Sequence, residues 1–446
     1  MQASCVHPPA SWEFDAHNAV QRLYKPIKVR NSGFRSIRMC YSDTSLQHLE
    51  HQADSFLHNS LESAGIDTTH ARVARKKFVK EVKGMRNSER EMSISKCVSI
   101  DLGRVALEIA AEDDALVSHS SVALPVEAYI SRLDDLSMEF CRHFLPQRGD
   151  PPHVFPTNLE RFMYIHKGYK RTPVSNAGDV RGLYLNMVLT RHTGSVIMLA
   201  LIYSEIIKMV KIYGLLDHDI EIDVPHHPTH LPRGYILSNL PGDKGYLKVK
   251  DGDDDAPHIL TTQMFLTEIL GNLKEFFWPF QYEPNVSGSL FLRAVYAANC
   301  GVGPSILNSE SAFESSLSGV ELANAKAAEH RLRRGVWTST RYGDLRRAMA
   351  ACERLVLLGV DAKELRDYSI LLYHCGLYEQ SFEYLKLYCR SKNTSQTTVS
   401  SSNPFEDQEN TAVEKFMARL KLILMEEGWS RPSIGKHQWG SSSEPW

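Results

Sequence analysis

Residues 181–213, RGLYLNMVLTRHTGSVIMLALIYSEIIKMVKIY, constrain this chain more than any other stretch. A glycine-containing turn, Thr193-Gly194-Ser195, opens a helix of about 15 residues whose polar positions are Ser204, Glu205, Lys208 and Lys211. Most of the rest is apolar. That spacing predicts a narrow wet stripe on an otherwise buried helix, so the fold has to be assembled around it. A helix N-terminus is also where a fold can lower the pKa of a cysteine and make it reactive. No cysteine stands there, because the position two after Gly194 is Val196.

At 446 residues the chain has room for roughly two or three domains. Its hydrophobic content is 43% and its formal net charge −2, which describes a globular protein and argues against a whole-chain polyanion binder. No apolar run reaches the roughly 18 residues that a membrane span needs; the helix after Gly194 comes nearest and is interrupted by Glu205 and Lys208. The eight cysteines are scattered without a CxxC pair, which reads as reduced, mostly buried thiols and against a zinc site or redox dithiol. Residues 1–42 carry six Lys/Arg against Glu13 and Asp15 and have no long apolar core. They read either as an organelle transit peptide ending near Arg38-Met39-Cys40 or as a plain basic tail.

Residues 43–62 look polar and weakly ordered. Residues 71–90 form a basic helical stretch with Ala74, Phe78, Val82 and Met85 on one face. Its charges read as a solvated surface; a nucleic-acid role lacks the aromatic ladder that base stacking uses. Helices are expected over 105–114, from Pro125 onward and over 159–166. Alternation then predicts antiparallel strands at 219–224, around 234–237 and at 245–249, followed by a helix over 259–273. Phe276–Phe280 reads as core or an inter-domain seam, with an exposed docking patch as the alternative. Arg341-Tyr-Gly-Asp-Leu-Arg-Arg-Ala348 recurs 33 residues later as His374-Cys-Gly-Leu-Tyr-Glu-Gln-Ser381, each copy placing Gly at an expected helix–helix turn. This offset is close to the tetratricopeptide period of about 34.

The runs Leu183-Tyr184-Leu185-Asn186-Met187-Val188-Leu189, Arg191-His192-Thr193-Gly194 and Leu199-Ala200-Leu201-Ile202-Tyr203 carry a resemblance, as do Gly343-Asp344 through Ala348, Glu364-Leu365-Arg366-Asp367 and Gly376-Leu377-Tyr378. With them the chain resembles the SirB-type transglutaminase-like family, departing from it at Val196, where the family has Pro, and at Met198, where it has Ser. The resemblance implies an α+β class: a transglutaminase-like (papain-like) domain of helices and antiparallel sheet, followed by a short tetratricopeptide-like helical segment. The expected layout is a basic leader at 1–42, a partly ordered basic helical region at 43–104 and the transglutaminase-like domain at 105–304. A linker and helix at 305–335, helix pairs at 336–391, a loop at 392–410 and a terminal helix and tail at 411–446 complete it.

True transglutaminases place Cys at this helix start, with His and Asp from later in the chain. The thiolate attacks a carbonyl, His moves the proton and Asp fixes the His tautomer. The resemblance puts Val196 at the Cys position and His227 at the His position, with Asp251 as the third member and Ser195 alongside. The SirB-type group itself commonly lacks the Cys. These four residues therefore read as a vestigial site, with Ser195 as a helix cap and no catalytic residue retained. His226, His227, His230 and His258 sit among prolines that break helical spacing, and Asp251–Asp255 lacks the Gly and Glu of a calcium loop, so no metal or other cofactor is expected. The resulting expectation is a non-catalytic scaffold that binds protein partners through its tetratricopeptide-like helices, without nucleic acid and without a membrane span. If the leader is a transit peptide the compartment is the chloroplast stroma, otherwise the cytoplasm. The alternative is a hydrolase or acyl transferase using Ser195 or Thr193 with His227.

Overall fold

A computed structural model describes residues 56–63, 65–85, 90–97, 99–118, 122–147, 150–173, 179–216, 218–225, 230–236, 257–280, 289–299, 338–339, 343–395 and 404–430. The chain divides into two compact units, residues 1–287 with 337–361 and residues 288–336 with 362–446. The segment read as tetratricopeptide-like helix pairs, 336–391, is thus shared between them.

The first unit is mostly helical. Its elements begin with α1 (Phe56–Ser63), α2 (Thr69–Gly84), α3 (Leu102–Ser118), α4 (Val126–His143) and α5 (Val154–Glu160), which runs into a π-helical turn at Arg161–His166. There follow β1 (Lys170–Arg171), α6 (Leu185–Arg191), β2 (Thr193–Gly194), α7 (Val196–Ile212), β3 (Ile220–Asp223), β4 (Arg233–Ile236) and α8 (Thr262–Phe277). After the second unit's first segment come β5 (Thr338–Ser339), β6 (Gly343–Asp344) and α10 (Leu345–Leu358). Helix α7 is the expected buried element: Leu199 through Tyr203, Ile206, Ile207 and Val210 are fully shielded from solvent. α4 and α3 pack on it, α2 packs on α3, and α8 packs on α10. β3 and β4 pair antiparallel with Ile220 opposite Ile236 and Ile222 opposite Gly234, while β1 and β2 pair in parallel. The third expected strand, 245–249, lies outside the described residues.

Local chemistry sets the helix boundaries. Thr261 caps α8 by accepting the Met264 N–H at 3.3 Å, and Asp344 caps α10 by accepting from Arg346 and Arg347. α10 ends at Gly359 with φ 62°, a left-handed position that Gly occupies without a Cβ penalty. Glu127 lies in the first turn of α4 and Arg142 and His143 in its last, matching the helix dipole.

Four readings need correction. Residues 43–62 are not uniformly unordered: 56–63 form α1, with Leu57, His58 and Leu61 buried. The 159–166 helix is an α-helix joined to a π turn. Gly343 is not at a helix–helix turn but at a strand–helix junction, between the β5–β6 pairing and α10. In the basic helix, Ala74, Phe78, Val82 and Met85 do form the buried face, yet Arg75 is buried with them. Phe277, Trp278 and Phe280 are buried, so the aromatic run is core.

Arg75 belongs to a line of ionic contacts through this unit. Its guanidinium reaches Glu353 at 2.9 Å and Glu112 at 2.6 Å. Arg354 reaches Glu112 at 2.9 Å and Asp113 at 2.6 Å. Glu112 also meets His58 Nε2 at 3.1 Å, and Glu353 accepts the Leu57 N–H at 3.0 Å. Four helices (α1, α2, α3 and α10) are joined by this cluster, whose side chains are at most 2% exposed. Burial disfavours the charge on Glu112, but the flanking guanidiniums outweigh it and hold this carboxyl well below the usual range.

The second unit holds α9 (Leu290–Asn299), α11 (Lys363–His374), α12 (Tyr378–Ser395) and α13 (Pro404–Ser430). α11 and α12 pack closely on either side of Gly376, whose φ is 79°. Ser369 and Ser381 each donate to the other's backbone carbonyl at 2.8 Å, so the small residue of the repeat marks the helix contact. Arg366 is buried between Asp367 and Glu409, with its guanidinium 4.5 Å from the centre of the Phe291 ring.

Two outcomes follow. Gly343 and Gly376 share φ of 79°, but a Cβ on Gly343 would lie 2.6 Å from Trp278 O and 2.7 Å from Phe277 O, whereas one on Gly376 would meet nothing. Gly376→Ala should cost about 1 kcal/mol from backbone strain alone and Gly343→Ala about 3 kcal/mol, read from denaturant titrations. Equal costs would contradict the close approach. Glu112→Gln should cost about 3–5 kcal/mol by leaving two buried guanidiniums short of a counter-charge. Because the folded pKa of Glu112 is depressed, its contribution is present above the ordinary carboxylate value and is lost as pH falls toward the folded one. The difference in melting temperature between wild type and variant should therefore shrink on acidification; a constant difference would refute the assignment.

Candidate functional site

The start of α7 is built by three short elements. α6 ends at His192, which takes a left-handed conformation (φ 57°) and donates its N–H to Val188 O at 2.8 Å. His192 is the one non-glycine residue with positive φ among those described, and its ring lies 4.6 Å from that of Tyr169. The turn carries the chain into β2, where Thr193 and Gly194 pair with Lys170 and Arg171. A side chain at Gly194 would collide with Val188, its Cβ falling 2.6 Å from Cγ2. Ser195 then donates its N–H to Gly182 O at 2.8 Å and accepts the Met198 N–H on Oγ at 3.3 Å.

Ser195 is therefore the N-cap and Val196 the first helical residue, 7% exposed. An aliphatic side chain occupies the place that the resemblance assigns to a thiol. His227 and Asp251 lie outside the described residues. Residues 230–232 are tied down near the helix start. Arg171, the strand partner of Gly194, donates to His230 O at 3.0 Å, and Tyr164 donates to Pro232 O at 2.6 Å. His258 is held at the β3 end, its N–H donating to Asp223 Oδ1 at 2.6 Å. Among the described residues no group of three or more His, Cys, Asp or Glu side chains is placed to hold a metal ion.

The polar stripe of α7 faces the segment 95–103. Lys211 donates to Ser95 O at 3.0 Å, Lys208 donates to Ile100 O at 3.1 Å, and Glu205 accepts the Gly103 N–H at 3.2 Å. Burial pushes the Glu205 carboxyl up, with Lys208 3.4 Å away acting against it. These charges serve the backbone of a connecting segment, so the stripe that looks like a wet face is an internal seam.

Sequence reasoning missed two features around this helix. Tyr203, on the buried side of α7, closes on β4 so tightly that a Cβ on Gly234 would lie 2.6 Å from its hydroxyl. Tyr184, just before α6, donates to Asp113 at 2.7 Å and links the helix start to the ionic line. Neither has a local signature, because a lone Gly in a strand and a lone acid in a helix acquire meaning only through their neighbours.

No curated protein and no solved structure matches the chain. A family match covers the stretch from the start of α4 to the end of α7, including the Ser195 cap and Val196. Residues 127–213 carry a domain of the transglutaminase-like superfamily.

Proposed function

We propose that this chain is a non-catalytic transglutaminase-like scaffold that acts as a protein-interaction or adaptor protein. One observation carries the reading: α7 begins with a capping serine and a buried valine where thiol chemistry needs a cysteine. Valine has no proton to lose and no lone pair to offer, so the activated-nucleophile step has no starting atom. Ser195 Oγ is engaged by the Met198 N–H, and Thr193 Oγ1 donates to Arg191 O at 3.4 Å.

The tetratricopeptide-like reading of the C-terminal helices supplies the binding surface. Phe382, Glu383 and Lys386 on α12 are at least partly open, with Lys386 paired to Glu383 at 2.8 Å and seated 4.2 Å from the Phe382 ring centre. A partly exposed aromatic ring rimmed by polar, charged side chains suits a peptide or protein partner. In this reading the basic leader at 1–42 is a transit peptide and the compartment the chloroplast stroma, with the cytoplasm as the alternative. The second reading is a hydrolase or acyl transferase using Ser195 or Thr193 with His227.

Affinity capture from the native compartment with the full chain separates these. The scaffold reading expects Phe382→Ser with Lys386→Glu to reduce a reproducibly captured partner about tenfold or more, while the fold persists. It expects Ser195→Ala to lower stability by about 1 kcal/mol through loss of the cap and to leave capture unchanged. Capture indifferent to the α12 variant would overturn the proposed surface. Turnover of an activated ester by the wild type, abolished in Ser195→Ala, would overturn the scaffold reading in favour of the hydrolase.

A further inference from the structure

Helix α2 turns one face to the core and the opposite one to solvent. Ala74, Arg75, Phe78 and Val82 are buried, with Arg75 held in the ionic line. Thr69, Val73, Lys76, Lys80 and Lys83 follow one another at alternating steps of four and three residues, so they line up along the other face, and all five are exposed. Two cations border this row, and each already has a carboxylate. Arg72 Nε reaches Glu62 at 2.6 Å, and Lys77 Nζ reaches the buried Glu108 at 3.1 Å. Lys76 and Lys80 form no ion pair among the described residues. Glu81, half-buried at the edge of the row, is the only acid of α2. Val73 stands 49% exposed in the row, with Lys76 and Lys77 three and four positions on.

The fold gains nothing from this row. Like charges four residues apart destabilise a helix, and Lys76 and Lys80 are such a pair. Lys83 lies in the last turn, where a cation suits the helix dipole; Lys76 and Lys80 lie further back, where that effect has faded. We propose that this face of α2 is a docking surface for an acidic segment of a partner protein, which lays carboxylates along Lys76 and Lys80 and an apolar side chain on Val73.

Charge complementarity sets the sign of the partner, and Val73 sets its kind. A nucleic-acid backbone offers phosphates but no aliphatic side chain, and the row carries neither an arginine nor an aromatic ring for base stacking. Adsorption to a membrane calls for a broad apolar helix face turned to the lipid, and α2 has that face packed in the core, leaving Val73 alone outside. An acidic peptide supplies both the carboxylates and the apolar contact. Because Arg75, Phe78 and Val82 fix the buried side of α2, the row is presented in a set geometry and the cost of ordering falls mainly on the partner. The surface belongs to the first unit, and the inference stands without the α12 surface.

Fluorescence anisotropy of the full chain tests this with three labelled probes: a glutamate-rich peptide with a central leucine, the same peptide with serine in that place, and a single-stranded oligonucleotide of equal charge. Vesicles of phosphatidylserine and phosphatidylcholine serve as a fourth probe, read by co-sedimentation. The leucine peptide should bind most tightly and weaken as salt is raised. Lys76→Glu with Lys80→Glu should weaken it about tenfold or more, and the neutral pair Lys76→Gln with Lys80→Gln by a smaller factor in the same direction. Val73→Ser should weaken the leucine peptide roughly threefold and leave the serine peptide unchanged. All three positions are exposed, so melting temperature should stay close to that of the wild type in each variant. Failure of the leucine peptide to bind, or equal binding by the wild type and both lysine variants, would overturn the proposal. Tighter binding of the oligonucleotide or of the anionic vesicles would overturn it as well, in favour of that other polyanion.

Discussion

Arg75 and Arg354 are fully buried, and each bridges two carboxylates. Taking such groups out of water costs several kcal/mol per ion, so the line cannot be a source of stability on its own. What it does is to make one arrangement of α1, α2, α3 and α10 much better than any other. A helix slid by one turn would leave a buried charge alone, which is far more costly than a lost apolar contact. The constraint reaches the functional region through Asp113 and Tyr184, because Tyr184 is the residue from which α6 starts. The position of α6, of the left-handed His192 and of the strand that delivers Ser195 all follow from that anchor.

The second constraint is the length and apolarity of α7. It buries almost every side chain, and its few charged residues are spent on the backbone of residues 95–103. A helix committed in this way to its surroundings presents only its N-terminus for chemistry. There the chain places a hydroxyl that caps and an aliphatic group that packs. The transglutaminase-like domain keeps its frame at residues 127–213 and carries no thiol at the helix start.

The parts of this fold with strong local signals were legible in the sequence. The apolar run after Gly194 predicted a buried helix and Ser195 was readable as a cap, but the stripe read as facing water packs on the backbone of Ser95, Ile100 and Gly103 instead. The alternation of Asp219–Val224 predicted a strand, and Ala74, Phe78, Val82 and Met85 predicted a buried helical face. What escaped depended on partners far away in the chain. Arg75 looked like one more surface cation, because nothing in its neighbourhood announces Glu353, 278 residues later. His58 and Leu57 sat in a polar stretch whose order comes from docking onto that same line. The two glycines of the recurring motif share a backbone conformation, yet one is pressed against Trp278 O and the other is open, a difference that sequence similarity between the copies conceals.

The account depends most on the chemical inertness of the α7 start. Intact-mass spectrometry of the full chain after exposure to a panel of acyl donors and thiol- and hydroxyl-directed electrophiles, with peptide mapping of residues 190–200, probes that point most directly. Inertness at the helix start predicts an unmodified mass for that peptide under conditions where exposed lysines elsewhere acylate. A stoichiometric acyl adduct on Ser195 or Thr193 would contradict it.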